Sequence, residues 1–178
     1  MVLEEEEREL FFKLWLELLV FVNNKYGLVK TFGSPKTPLG LNINDIEKIR
    51  NKLWKNHSVI DEYLKHSNLN QDEYEVVNSW KKFLKGKFMV LKNYKKYTVI
   101  MDFDSEILYG IHGITNPIIE MLPFLPMMIE TVIIPFKGKI IYDSVIKRND
   151  IIIGRNMRRS FNEKFMEIKN EIGIKNVL

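Results

Sequence analysis

GKFMVLKNYKKYTVIMDFDSEILYGIH, residues 86–112, is the stretch where the chain changes its period. Before it, apolar residues recur every three or four positions; within it they crowd into short β-branched and aromatic runs, the signature of strands. Phe88 to Leu91 and Tyr97 to Phe103 flank Asn93 and Tyr94, which predicts a hairpin. Asp104 and Ser105 then separate Phe103 from the run Glu106 to Ile111, the two-residue spacing of a second tight hairpin. Working downstream, Pro117, Pro123 and Pro126 break the pattern and leave one helical turn around Ile118 to Met121. Thr131 to Phe136 and Lys139 to Ile146 flank Lys137 and Gly138, a third hairpin with glycine where positive φ is needed. Ile151 to Ile153 adds an edge. Strands that meander through short hairpins make a twisted antiparallel sheet, and closure into a small barrel is one way to end it.

Outside this block the pattern is helical. From Asn156 onward, Met157, Phe161, Phe165, Ile168 and Ile172 mark an amphipathic closing helix. Upstream, Leu3 to Asn24 contains no glycine or proline and carries acids at its start, so it reads as a helix stopped by Gly27. Its apolar residues leave only a thin polar stripe, so something must cover most of its surface. Gly33, Pro35, Pro38 and Gly40 make Thr31 to Gly40 a loop. Asn42 or Asn44 caps a helix over Ile43 to Asn56, Ser58 a short one through Leu64, and Asn70 a third with Tyr74, Val77, Trp80 and Leu84 on one stripe, ended by Gly86. The fold class is therefore α+β. A helical half, 1–86, packs on an antiparallel, hairpin-built sheet or small barrel with a closing helix, 87–178. The two are expected to act as one cooperative unit, because the first helix is too apolar to stand alone.

The chain has 178 residues, enough for one ordinary core or two small ones. It has no cysteine, which removes disulfides, thiolate nucleophiles and cysteine-held metals and points to a reducing, cytoplasmic setting. Glu4 to Glu7 are acidic, unlike the basic start of a secretory signal. The apolar run Leu10 to Val22 is interrupted by Lys13 and Glu17 and is too short to span a bilayer, so no membrane partner is expected. A net charge of +4 and a pI near 9.1 attract polyanions only mildly.

Three constellations carry chemistry. Lys81, Lys82, Lys85, Lys87, Lys92, Lys95 and Lys96 fall in an interval with no acid between Glu75 and Asp102, interleaved with Trp80, Phe83, Phe88, Tyr94 and Tyr97. Such a run offers ammonium groups to phosphates and rings to unpaired bases; the plainer reading is a solvated helix end around Lys81, Lys82 and Lys85. Arg155, Arg158 and Arg159 open the last helix, where its dipole disfavours cations, so an anion should compensate them. A phosphate would suit the face that Arg155 and Arg159 share, and pairing with Asp143, Asp150 or Glu163 is the structural alternative. Asp102, Asp104 and Glu106 alternate, which on a continuous strand would place their carboxylates together for Mg²⁺, although Asp104 and Ser105 also suit a turn. His57, His66 and His112 form no ligand set, and Gly33 to Thr37 lacks the spacing of a phosphate loop. Met121, Met127 and Met128 suit either a docking surface or core filling.

The segment VIIPFKGKIIYD, residues 132–143, with Ile153, Gly154 and then Arg158 to Phe161, resembles the C-terminal signature of a family of uncharacterised bacterial proteins. There a strand pair reading P-F-K-x-K-I-I-Y-D precedes a glycine and an arginine-bearing helix. Ser144 stands where that signature has glycine. The resemblance implies a repeated architecture and no chemistry. From the residues, the favoured function is a non-enzymatic binding module that contacts nucleic acid through these seven lysines and three arginines, with no cofactor or metal. A self-associating scaffold, forming a homo-oligomer through the first helix, is the alternative. A metal-dependent enzyme at Asp102, Asp104 and Glu106 is the outsider.

Overall fold

The computed structural model describes residues 1–30, 32, 42–149, 151 and 153–178. The expected loop from Thr31 to Gly40, apart from Phe32, lies outside the described residues, as do Asp150 and Ile152. The chain forms two compact units, one of Glu5–Lys81 and one of Met1–Glu4 with Lys82–Leu178.

The first unit holds α1 (Glu5–Tyr26), α2 (Ile43–Lys55), α3 (Val59–His66) and α4 (Gln71–Ser79). Its core is aromatic. The Trp15 ring stacks on Trp54 at 5.9 Å between centroids and meets Trp80 edge-on at 5.7 Å, while Phe11 approaches Trp80 at 6.1 Å. Offset and edge-on pairs of this kind are favourable beyond the area they bury. Asn42 accepts from the Asn44 amide, and Asn70 forms a full capping box with Glu73. Ser58 precedes α3 without a side-chain cap bond, contrary to expectation.

Two boundaries depart from the sequence pattern. Helix α1 begins at Glu5 because Val2 bridges Gly113 in parallel and the Leu3 amide donates to the Gly113 carbonyl at 3.0 Å. Helix α4 ends at Ser79 instead of running to Gly86. Leu84, expected on its apolar stripe, is instead the first residue of a strand paired with Ile133, and Tyr74 of the same stripe is exposed. A strand partner far along the chain outweighs a local helical preference of a few tenths of a kcal/mol per residue, roughly.

The second unit is built on β1 (Leu84–Asn93), β2 (Thr98–Asp102), β3 (Leu108–His112), β4 (Met127–Phe136), β5 (Lys139–Tyr142), β6 (Lys147–Asn149) and β7 (Ile174–Lys175), with α5 over Arg155–Glu171. A single 3₁₀ turn, Ile118–Met121, lies between β3 and β4. Strands pair in the order β1-β2-β3-β5-β4, and β4 pairs back to β1, so five strands close into a barrel. Pairs are antiparallel except β3 with β5 and with β7. The order β4-β1-β2-β3 is a Greek key, with β5 closing the ring.

A five-stranded barrel has room inside only for side chains. From the register, Phe88, Val90, Ile100, Tyr109, Ile111, Met127, Ile129 and Ile133 share the inner face. Met89, Leu91, Val99, Met101 and Leu108 lie on the outer face, under Phe165 and Ile168 of α5. The Lys137 and Gly138 hairpin has φ of 47° and 74°, the left-handed pair that a two-residue turn requires. The hairpin at Asp104 is longer than expected: β2 stops at Asp102, Glu106 takes φ of 56°, and Asp102 and Ile107 close the loop. The edge strand is Lys147–Asn149; Ile151 and Ile153 are not in a strand, and Ile152 of the expected edge lies outside the described residues. Among the described residues, no helix is long and apolar enough to cross a membrane.

Candidate polyanion-binding groove

The lysine run does not stay together. Lys81 belongs to the helical unit and donates to Asp61 at 2.8 Å, which holds that carboxyl below its ordinary value. The others belong to the barrel unit, but Lys85 and Lys95 are ten residues apart along a strand and its turn, on the order of 30 Å at full extension. Lys82, Lys85 and Lys87 are exposed at the start of β1, where Lys87 faces Glu130 at 3.8 Å. The expected helix end at Lys81, Lys82 and Lys85 is solvated at Lys82 and Lys85 but is not a helix, since α4 stops at Ser79 and Lys85 is a strand residue. Lys92, Lys95 and Lys96 lie at the other end, around the β1–β2 turn.

Lys92 reaches this place through a β-bulge. Val90 pairs with Ile100 and Lys92 with Val99, so Leu91 and Lys92 together oppose one residue. Strict alternation would send Lys92 into the barrel with Phe88 and Val90; the extra residue turns it outward, toward α5. There its Nζ lies 5.8 Å from the centre of the Phe165 ring. Helix α5 supplies the opposite wall. At about 100° per residue, Arg155, Arg158, Asn162 and Lys169 fall within an arc of roughly 60° on the flank beside β1, and no acid shares it. The acids of α5 turn elsewhere: Glu163 accepts from Arg159 at 2.8 Å, and Glu167 lies with Lys164. Lys164 also pairs with Glu106 at 2.9 Å, which holds its ammonium above the ordinary value.

The result is a groove lined by Lys92, Arg158 and Asn162 over Leu91, Phe161 and Phe165, enclosing about 320 Å³. Lys169 continues it toward the turn, 5.6 Å from the Tyr94 ring and with Nζ 3.4 Å from the Tyr94 hydroxyl. Tyr94 and Tyr97 meet edge-on at 5.9 Å, and Lys95 and Lys96 are exposed at the tip. Arg155 and Arg159 do not form the expected fork, because Arg159 is paired with Glu163 on the same helix. Arg158 donates through Nε to the Ile153 carbonyl at 2.9 Å, which fixes the guanidinium at the groove. Asp143 is fully buried, and Asp150 lies outside the described residues. Sequence reasoning missed Lys169, Asn162 and the two phenylalanine rings as site residues. Lys169 lies 73 positions from Lys96, and only its spacing from Arg158 and Phe165 along one helix hinted at a shared stripe.

The carboxylates do not converge. Asp102 accepts from the Ser105 hydroxyl at 2.6 Å and from the Asp104 amide at 3.2 Å, while Glu106 turns to Lys164. Among the described residues no group of three or more His, Asp or Glu side chains could hold a metal ion. Helix α1, the expected surface for self-association, buries Phe11, Leu14, Trp15, Leu18, Leu19 and Val22. Leu16, Val20 and Phe21 are partly exposed beside Tyr63, in an open hollow of about 450 Å³. The Tyr63 hydroxyl donates to Glu17 at 3.0 Å, and burial, with the charge of Glu17, raises its pKa well above the ordinary tyrosine value. Compared with protein-family models, with curated proteins and with solved structures, the chain has no significant match.

Proposed function

We propose that the barrel unit binds single-stranded nucleic acid along the groove between α5 and the β1–β2 turn. The observation that carries this reading is the acid-free line of Arg158, Lys92 and Lys169 above aromatic rings, with Lys95 and Lys96 at its end. Ammonium and guanidinium groups neutralise phosphates without regard to sequence, and ring faces accept any unpaired base. A closed Greek-key barrel supports the reading only as an analogy of fold. Oligonucleotide-binding barrels of five strands use the face of strands two and three and the loops beside it. Here that face lies under α5, so the proposed surface is the β1–β2 turn and the exposed flank of the helix.

The test is titration of a labelled mixed-sequence oligonucleotide at low and near-physiological salt. Affinity is expected to fall steeply with salt and to favour a single strand over a duplex. The Lys92→Ala, Lys95→Ala, Lys96→Ala variant should weaken binding and lower the salt slope by about 1 for each phosphate contact removed. No binding at low salt would remove the proposal. Binding unchanged by the triple substitution would move the site elsewhere on the protein.

A further inference from the structure

We infer that the cleft within this groove takes the base of one unpaired nucleotide, an inference that rests on the nucleic-acid reading and gives it a subsite. Leu91, Leu125, Pro126 and Phe161 provide apolar walls, and Asn162, Lys92 and Arg158 provide the polar groups. The cleft is half open and holds about 320 Å³, at the small end of ligand sites. A bare inorganic phosphate would use the two cations and leave the apolar walls wet. A purely apolar ligand would use the walls but strip water from the Lys92 ammonium and from the Arg158 donors that Ile153 does not engage, which is costly. A nucleotide satisfies both: its base presents an apolar π-face to Phe161 and Pro126, and its phosphate lies against Lys92 and Arg158. The Asn162 amide offers two donors and an acceptor, the set that pairs with the edge of a base. Two features hold the cations in position before any ligand arrives: the bulge that turns Lys92 outward and the bond from Arg158 Nε to the Ile153 carbonyl.

The same base-plus-phosphate chemistry is offered by an unpaired residue of a strand and by a free nucleoside monophosphate. The experiment uses the full chain and three probes at low salt: a labelled mixed-sequence single strand, an abasic strand of equal length and charge, and a nucleoside monophosphate as competitor. The abasic strand should bind at least about fivefold more weakly, the loss expected from one stacked base. Phe161→Ala and Asn162→Ala should each narrow that gap toward equality. Asn162 is exposed, so its variant keeps the test valid if removing the partly buried ring disturbs α5. Competition by the monophosphate at millimolar concentration would support a free nucleotide as occupant, and its failure to compete would support a strand residue. Equal binding of the two strands by the unaltered protein would overturn the subsite and leave the electrostatic reading standing. A gap untouched by both substitutions would overturn the placement of the base. Failure of either strand to bind would overturn the reading and the subsite together.

Discussion

Lys92 and Asp102 sit 10 residues apart on neighbouring strands, and each has its role set by one local irregularity. For Lys92 it is the bulge, which costs one ladder pairing and puts the cation outside the barrel. For Asp102 it is the loop that follows: its carboxylate binds the Ser105 hydroxyl and the Asp104 amide, as short polar side chains do at turns. Asp102→Ala should therefore lower stability by about 1–3 kcal/mol, the range for leaving such partners unpaired. Thermal melts of wild type and variant measure this. Millimolar Mg²⁺ should leave the wild-type midpoint unchanged, because Glu106 is turned to Lys164 and not toward Asp102. A rise that depends on Asp102 would restore the carboxylates as a metal site.

Among the elements, α5 and β1 define the groove, and β7 secures the chain that follows α5. Phe165 and Ile168 anchor the helix on the outer face of β1, β2 and β3, so that one flank carries Arg155, Arg158, Asn162 and Lys169 and the other carries Lys164 among the acids Glu167 and Glu171. β7 adds a short parallel strand to β3, pairing Leu108 with Ile174 and Tyr109 with Lys175. Gly110, the next residue of β3, makes this approach feasible. A Cβ there would lie 2.5 Å from Asn176 Oδ1 and 2.9 Å from Cδ2 of Tyr97, both far inside contact distance. Gly110→Ala is expected to loosen the C-terminal strand or push the Tyr97 ring aside. Hydrogen exchange should then quicken at residues 174–176 while the barrel interior stays protected. A uniform loss of protection across the barrel would mean that β7 is integral to its folding.

For the whole molecule, acid stability follows from how α1 and α4 are tied. Lys13 pairs with Glu73 at 2.5 Å, and Glu73 also accepts from the Asn70 amide within the capping box. The Lys13 bond first, and the Asn70 amide second, hold the Glu73 carboxyl below its ordinary 4.5. A carboxyl whose folded pKa is depressed contributes stability above its unfolded pKa and loses it as pH falls through the folded value. The midpoint of unfolding should drop as pH falls below about 4.5, and Glu73→Gln should flatten that limb while lowering the plateau at neutral pH. Melting curves from neutral to strongly acid pH check both. An acid limb of unchanged steepness in the variant would assign it to other carboxylates.

The amino-acid pattern by itself determined the α+β class, the closing helix, the 3₁₀ turn after Pro117 and the turn at Lys137 and Gly138. These rest on spacing, proline and positive φ, all of which act over a few residues. Only the tertiary structure decided where α4 stops, because Leu84 gains a strand partner at Ile133 that no local window contains. It alone decided that the sheet closes, since closure is the pairing of β1 with β4, from Val90 with Met127 to Leu84 with Ile133, far beyond any local window. The candidate groove is of the same kind. Its lysines were visible as a run, but strand length divides them and a bulge re-aims Lys92. Its second wall comes from α5, whose rings and cations reach β1 only because the apolar stripe of Phe165 and Ile168 must be buried somewhere on the barrel.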